Sequence, residues 1–131
     1  MTNIPENLKY TKTHEWARVE SDGTVTIGIT EHAQEALGDM VFVELPKVGA
    51  KITAGKECGV VESVKSASDL YAPISGDVIA ANDKVTTTPA LLNSDPQGEG
   101  WLLKVHPGNK TELDALMDAK AYSKFLASSE H

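Results

Sequence analysis

Hydrophobic residues recur every second position through short runs over most of the chain, and only from about residue 111 does the spacing become helical. EWARVE (15–20) and TVTIGIT (24–30) flank Ser21-Asp22-Gly23. Asp bonds nearby backbone and Gly accepts positive φ, so the pair predicts a hairpin turn. Val25, Ile27 and Ile29 alternate and are expected to share one buried face. A short helix is expected near 30–37, with Thr30 as its cap, Glu31 at its positive end and Gly38 as its left-handed stop. MVFVEL (40–45) reads as a strand ended by Pro46. GVVESV (59–64), DLYAP (69–73), GDVIAA (76–81) and WLLKV (101–105) are the other expected strands, and Gly49, Gly55, Gly59, Pro73 and Gly76 punctuate the region. Short strands at this spacing argue for a sandwich or barrel.

In the tail, Thr111 followed by Asp114 resembles a capping box with the shorter acid. Leu113, Leu116 and Met117, then Tyr122, Phe125 and Leu126, predict helices near 111–118 and 119–128. Their apolar stripe is most simply a face packed on the β core; a partner-binding stripe is the alternative. A weak internal echo pairs Gly38-Asp39-Met40-Val41 with Gly76-Asp77-Val78-Ile79, and Lys47-Val48 with Lys84-Val85. It fits two similar β halves joined by the segment around Lys65.

The length of 131 residues fits one domain, with a core over about 15–106 and a helical segment over about 111–128. A net charge of −7, spread along the chain, disfavours nucleic acid and anionic membrane as partners. The one cysteine, Cys58, leaves no intrachain disulfide, which suits a reducing compartment. MTNIPENLKY lacks both a signal core and an Arg-rich transit peptide, so cytoplasmic residence is expected, as it would be for a processed mitochondrial form. No apolar stretch reaches membrane-spanning length.

Catalytic arrangements are scarce. His14, His32, His106 and His131 show no metal-ligand spacing, and there is no Cys-x-x-Cys, Walker loop or GxGxxG. Cys58 with a distant histidine could form a dyad, but a lone cysteine in a β segment is more often packing. His32 reads equally as an exposed polar residue or a base. A chain without its own active site is the better first hypothesis.

Lys65 stands out. Strand-like GVVES leads into small, polar Lys65-Ser66-Ala67-Ser68, and the strand pattern resumes at Asp69-Leu70-Tyr71. A lysine at such a tip projects into solvent, either as one more solvated cation or as a handle that another enzyme modifies. The stretch ESVKSASDLYAPISG (62–76) closely resembles the lipoyl-attachment segment of the glycine cleavage system H-protein family. The resemblance extends through KYTKTHEW (9–16), TIGITEHAQEALGD (26–39), VFVELPKVG (41–49), LLNSDPQGEGWLLKV (91–105) and AYSKFL (121–126), nearly the whole chain in one order.

The resemblance implies a mainly β fold, a flattened lipoyl/biotinyl-type β-barrel (barrel-sandwich hybrid), with lipoate in amide linkage to Lys65. It implies that Glu62 and Gly76 help the lipoylating enzymes recognise the site. It places Thr13, Glu15 and Asp69 around the parked, loaded arm. Glu15 could instead be an exposed strand-edge acid, and Asp69 a cap for the turn after Lys65. The implied role is a non-enzymatic shuttle. The arm takes an aminomethyl group from a pyridoxal-phosphate glycine decarboxylase to a tetrahydrofolate-dependent aminomethyltransferase, and dihydrolipoamide dehydrogenase then reoxidises it. A carrier serving several enzymes in turn is expected to be monomeric. Val64 and Ser66 flank the lysine where a biotin carrier would place methionines, and the tip lacks the Asp-Lys-Ala common in 2-oxoacid dehydrogenase lipoyl domains. Ala36 stands where some members of the family carry a histidine. A lipoyl-relay protein that donates lipoyl groups to other dehydrogenase complexes, and an interaction module with an unmodified Lys65, are the alternatives.

Overall fold

The computed structural model describes residues 4–129, so the first three residues and the last two, Glu130 and His131, lie outside the description. The expected hairpin forms from β2 (Glu15–Val19) and β3 (Val25–Ile29), which pair antiparallel with Val19 opposite Val25. Gly23 takes φ 88°, and the Asp22 carboxylate accepts hydrogen bonds from the Thr24 N–H (3.0 Å) and hydroxyl (2.6 Å). The two-residue β1 (Lys9–Tyr10) extends this pair along the edge of β2.

The remaining strands are β4 (Met40–Glu44), β5 (Lys51–Ile52), β6 (Glu57–Ser63), β7 (Ala67–Tyr71), β8 (Gly76–Ala81) and β9 (Leu103–Pro107). They form two antiparallel sheets, one in the order β1-β2-β3-β9-β8-β5 and the other β4-β6-β7. Val25, Ile27 and Val105 from the first sheet meet Val43, Val61 and Leu70 from the second in one buried core. The described strands do not close into one hydrogen-bonded ring, so the fold is the flattened barrel-sandwich hybrid.

β3 departs from the expected alternation, because all five of its residues are buried. Val25, Ile27 and Ile29 belong to the core, while a Cβ on Gly28 would stand 2.5 Å from Trp16 Cζ2. The fully buried Trp16 joins Leu8, Tyr10, Tyr122 and Leu126 in a second cluster that covers this outer face. Two of those residues come from the tail helix α4 (Ala119–Ser129), and Tyr122 stacks on Tyr10 with ring centroids 4.5 Å apart. Leu113, Tyr122 and Leu126 are all buried, so the tail's apolar stripe packs on the β core.

The expected helix near 111–118 is a 3₁₀ segment, Lys110–Ala115, and its cap is not Thr111. Asn109 Oδ1 accepts from both the N–H (3.0 Å) and the hydroxyl (2.6 Å) of Thr111, so the threonine oxygen is itself held by the true cap. Thr30 caps α1 (Glu31–Leu37), accepting from Ala33 N–H at 3.2 Å, and Gly38 ends it at φ 82°. Two short helices, α2 (Asp83–Thr87) and α3 (Leu91–Ser94), carried no strong local signal. Buried Asn82 caps α2 and donates to the carbonyls of Glu99 (2.9 Å) and Trp101 (2.7 Å). The internal echo holds for the strands, where Met40 and Val78 are both buried, and fails beyond them, where Val48 is exposed and Val85 buried. Among the described residues, no helix is long and apolar enough to cross a membrane.

Candidate functional site

Lys65 lies at the tip of the β6–β7 hairpin, in a turn closed by serine side-chain chemistry. Ser63 N–H donates to the Ser66 carbonyl at 2.8 Å, and Ser63 Oγ accepts from the N–H groups of Lys65 and Ser66, both at 3.2 Å. Val64 N–H donates to the Asp39 carbonyl (3.0 Å), which ties the tip to the residue before β4. Lys65 is exposed, and among the described residues nothing bonds or pairs with its ammonium. Its Cε stands 3.4 Å from where a Cβ on Gly38 would lie, so the stem of the side chain crosses the end of α1. Val64, also exposed, completes the tip.

The other candidates lie at three distances from this tip. Glu62 is on β6, opposite Phe42 of β4 and Ala67 of β7; the residues on either side of it, Val61 and Ser63, are buried, so Glu62 faces outward. Asp69 is exposed on β7, opposite Val60. It does not cap the turn, whose free amides are taken by Ser63. Gly76 lies in the other sheet, between Ile52 of β5 and Pro107 of β9. A Cβ there would fall within 3.2 Å of Pro107 Cα and closer still to the His106 carbonyl, so Gly76 has a folding reason of its own.

Glu15 is not the exposed edge acid that was one alternative: it is 2% exposed. Its carboxylate accepts from Thr11 Oγ1 (2.7 Å), from Thr13 Oγ1 and from Tyr71 N–H (3.3 Å). Burial raises its pKa, and these donors act in the opposite direction. β7 is the last strand of its sheet, so the carboxylate is docked on a free strand edge. Tyr71 ends the strand that Ala67 begins, about 13 Å away at about 3.3 Å per residue. Lys65, Asp69 and Glu15 therefore follow one another along the β7 edge, with Thr13 exposed beside Glu15. Thr11 and Tyr71, which complete the shell around the carboxylate, were not read from the sequence. The alternation Thr11, Thr13, Glu15 is the one local signal that points to them.

The remaining chemistry is inert or structural. Cys58 packs against the core, and burial together with the nearby Glu15 pushes its thiol up to about 12. His14 and His32 come together, with ring centroids 4.6 Å apart, but no group of three metal-capable side chains exists among the described residues.

Residues 8–129 match the profile of the family described as Glycine cleavage H-protein. The chain belongs to that family. Its relatives include glycine cleavage system H proteins of Shewanella sp. strain W3-18-1, 62% identical, and of Salmonella arizonae, 57% identical. Each alignment spans 126 residues, 96% of this chain and 98% of the relative. The fold of this family member matches the crystal structure of a glycine cleavage system H protein from Mycobacterium marinum with TM-score 0.83 and 41% identity, covering 98% of this chain and all of that one. Family and fold thus agree with the resemblance read from residues 62–76.

Proposed function

We propose that the chain is the lipoyl carrier of a glycine cleavage system, with lipoate in amide linkage on Lys65. The observation that carries this reading is the free, exposed Lys65 ammonium at a clamped hairpin tip, with a buried carboxylate farther down the same strand edge. The residues fit the group. A lysine side chain extended by a lipoyl amide has about twelve bonds of about 1.5 Å, which reach about 15 Å in a zigzag. That matches the length of β7 from the tip to Tyr71. Held in amide linkage by Lys65, lipoate would supply a dithiolane able to carry an aminomethyl group between glycine decarboxylase and the tetrahydrofolate-dependent aminomethyltransferase, with dihydrolipoamide dehydrogenase to restore its disulfide.

The chain's own work is presentation and shelter. Ser63 holds Lys65 where a ligase can surround its amine, and Glu62 faces outward beside it to be read by the lipoylating enzymes. Gly76 supports the site through the scaffold, by letting β8 and β9 approach. Acylation removes the lysine charge, so the arm can lie along the β7 edge without a cation in its middle. Glu15 at the far end and Asp69 midway along β7 offer carboxylates to a cationic nitrogen, and Thr13 orients Glu15. Burial keeps competing water from the Glu15 carboxylate and strengthens its hold on a positive charge. Tethering raises the local concentration of the arm at a docked enzyme to the order of mM. The chain itself needs no catalytic group for this role.

Intact mass spectrometry of protein from a lipoate-replete host tests the attachment. The parent chain is expected to gain the mass of one lipoyl group, and Lys65→Arg to lose that gain with its thermal midpoint unchanged. A parent chain of unmodified mass, expressed with an active lipoate ligase, would overturn the carrier reading.

A further inference from the structure

The Glu15 carboxylate keeps its donors only because the loop before it is bent sharply. Thr11 and Thr13 precede Glu15 at alternate positions, and in an extended chain their side chains would stand about 7 Å apart. The bend comes from two backbone bonds, His14 N–H to Thr11 O (3.2 Å) and Thr11 N–H to Glu15 O (3.0 Å), and from His14 itself at φ 70°. No other non-glycine residue among those described has positive φ. Histidine adopts this region more readily than most residues, but it does so at a cost that the surroundings must offset.

The surroundings that hold His14 come from two helices. Its carbonyl accepts from Thr30 N–H at 3.0 Å. Its Nδ1 lies 2.8 Å from the Tyr122 hydroxyl on α4, and that hydroxyl lies 2.9 Å from Thr30 Oγ1. Thr30 Oγ1 also accepts from Ala33 N–H, and with one proton and a second lone pair left it can either donate to the Tyr122 oxygen or accept from it. A neutral imidazole keeps this contact in either tautomer, accepting the Tyr122 proton at Nδ1 when its own proton is on Nε2, or donating from Nδ1 to the Tyr122 oxygen. Burial and the neighbouring His32 hold the His14 pKa below its ordinary value, in keeping with that form.

We propose that His14 and Tyr122 are positioning residues for Glu15: their contact locks the 11–14 loop in the shape that lets Thr11 and Thr13 donate to the carboxylate together. Its bearing on the loaded arm presupposes Glu15 as the anchor proposed above. The tail helix then serves the site directly, in addition to covering Trp16.

The test uses the full chain without its arm, so it is independent of lipoylation. Tyr122→Phe keeps the ring on Tyr10 and removes only the hydroxyl. Hydrogen exchange is followed by NMR at the Glu15 amide, which donates to Thr11 Oγ1 at 3.0 Å, and at Ile27 in the core as a control. The carboxyl carbon of Glu15 is titrated in parallel. Tyr122→Phe is expected to speed Glu15 exchange about tenfold, an opening made about 1.4 kcal/mol easier, and to move the Glu15 titration, with Ile27 unchanged. His14→Ala should do the same, and His14→Asn, which tolerates positive φ and keeps an acceptor, should restore parent behaviour. An unchanged Glu15 amide and titration in Tyr122→Phe would overturn the proposal, as would equal acceleration at Ile27, which would mark a purely structural role. Absence of lipoylation on Lys65, by contrast, would remove the functional reading and leave this result standing.

Discussion

Gly76→Ala separates two ways in which a glycine eleven residues after the proposed attachment lysine could matter. Gly76 is paired on both sides, to Ile52 in β5 and Pro107 in β9. An added Cβ would lie inside 3.0 Å of the His106 carbonyl oxygen, 3.1 Å from its carbon and 3.2 Å from Pro107 Cα, whereas ordinary contact begins at 3.4 Å. All three obstacles are backbone, so no side chain can rotate away, and β8 and β9 must part by at least about 0.4 Å in a close-packed sheet. Overpacking of this kind costs about 1–3 kcal/mol. Against it stands a gain of about 0.4–1 kcal/mol from the stiffer unfolded chain. The balance, about 1–2 kcal/mol, corresponds to a melting point lower by about 3–10 °C for a chain of this size. The assay is a circular-dichroism melt of the unmodified chain beside the rate of enzymatic lipoylation at 25 °C, where both variants are folded. The expected result is a lowered melting point with a lipoylation rate within about twofold of the parent, about 0.4 kcal/mol in barrier. A melting point within about 1 °C of the parent combined with a tenfold loss of lipoylation would refute the scaffold reasoning and make Gly76 a point of direct recognition.

Two further outcomes are expected from the buried groups around the β7 edge. Burial raises the Glu15 pKa, so the folded chain holds that proton more tightly than the unfolded chain. The contribution of Glu15 to stability is therefore full below pH 4.5, its ordinary value, and declines as pH rises until the raised folded value is passed. Glu15→Gln, which does not titrate, should remove that decline from urea midpoints measured between pH 4.5 and 7; a slope equal to the parent's would count against a strained, buried carboxylate. Cys58, with its thiol pushed up to about 12, should resist iodoacetamide at pH 8 in the folded chain and react fully in urea. Labelling of the folded chain as fast as a free cysteine would show that the thiol is neither covered nor held protonated.

Local signals in the sequence were read correctly where one or two residues decide the backbone. Asp22-Gly23 specified the hairpin, and Thr30 with Gly38 bounded α1, because each acts on its immediate neighbours. β1 and β5 were not legible, since two-residue strands exist only through the partners that pair with them. The same holds for α2, whose cap Asn82 is fixed by carbonyls 17 and 19 residues away. Thr111 and Asn109 are both good cap residues, and only the folded geometry decided between them. The position of Lys65 at a tip was readable from the small residues around it. The burial of Glu15 was not, because it depends on Tyr71, 56 residues away, and on a histidine held in a left-handed conformation by the tail helix.

The stem of Lys65 crosses Gly38 at the end of α1, a helix with an acid in its first turn and no basic residue of its own in its last. The lysine Cε passes 3.4 Å from where a Cβ at position 38 would stand, so the bare glycine that ends α1 leaves the lysine stem its path over the helix end. With Lys65 as the proposed attachment point, a bulkier residue at position 38 would crowd the root of the arm as well as end the helix less well.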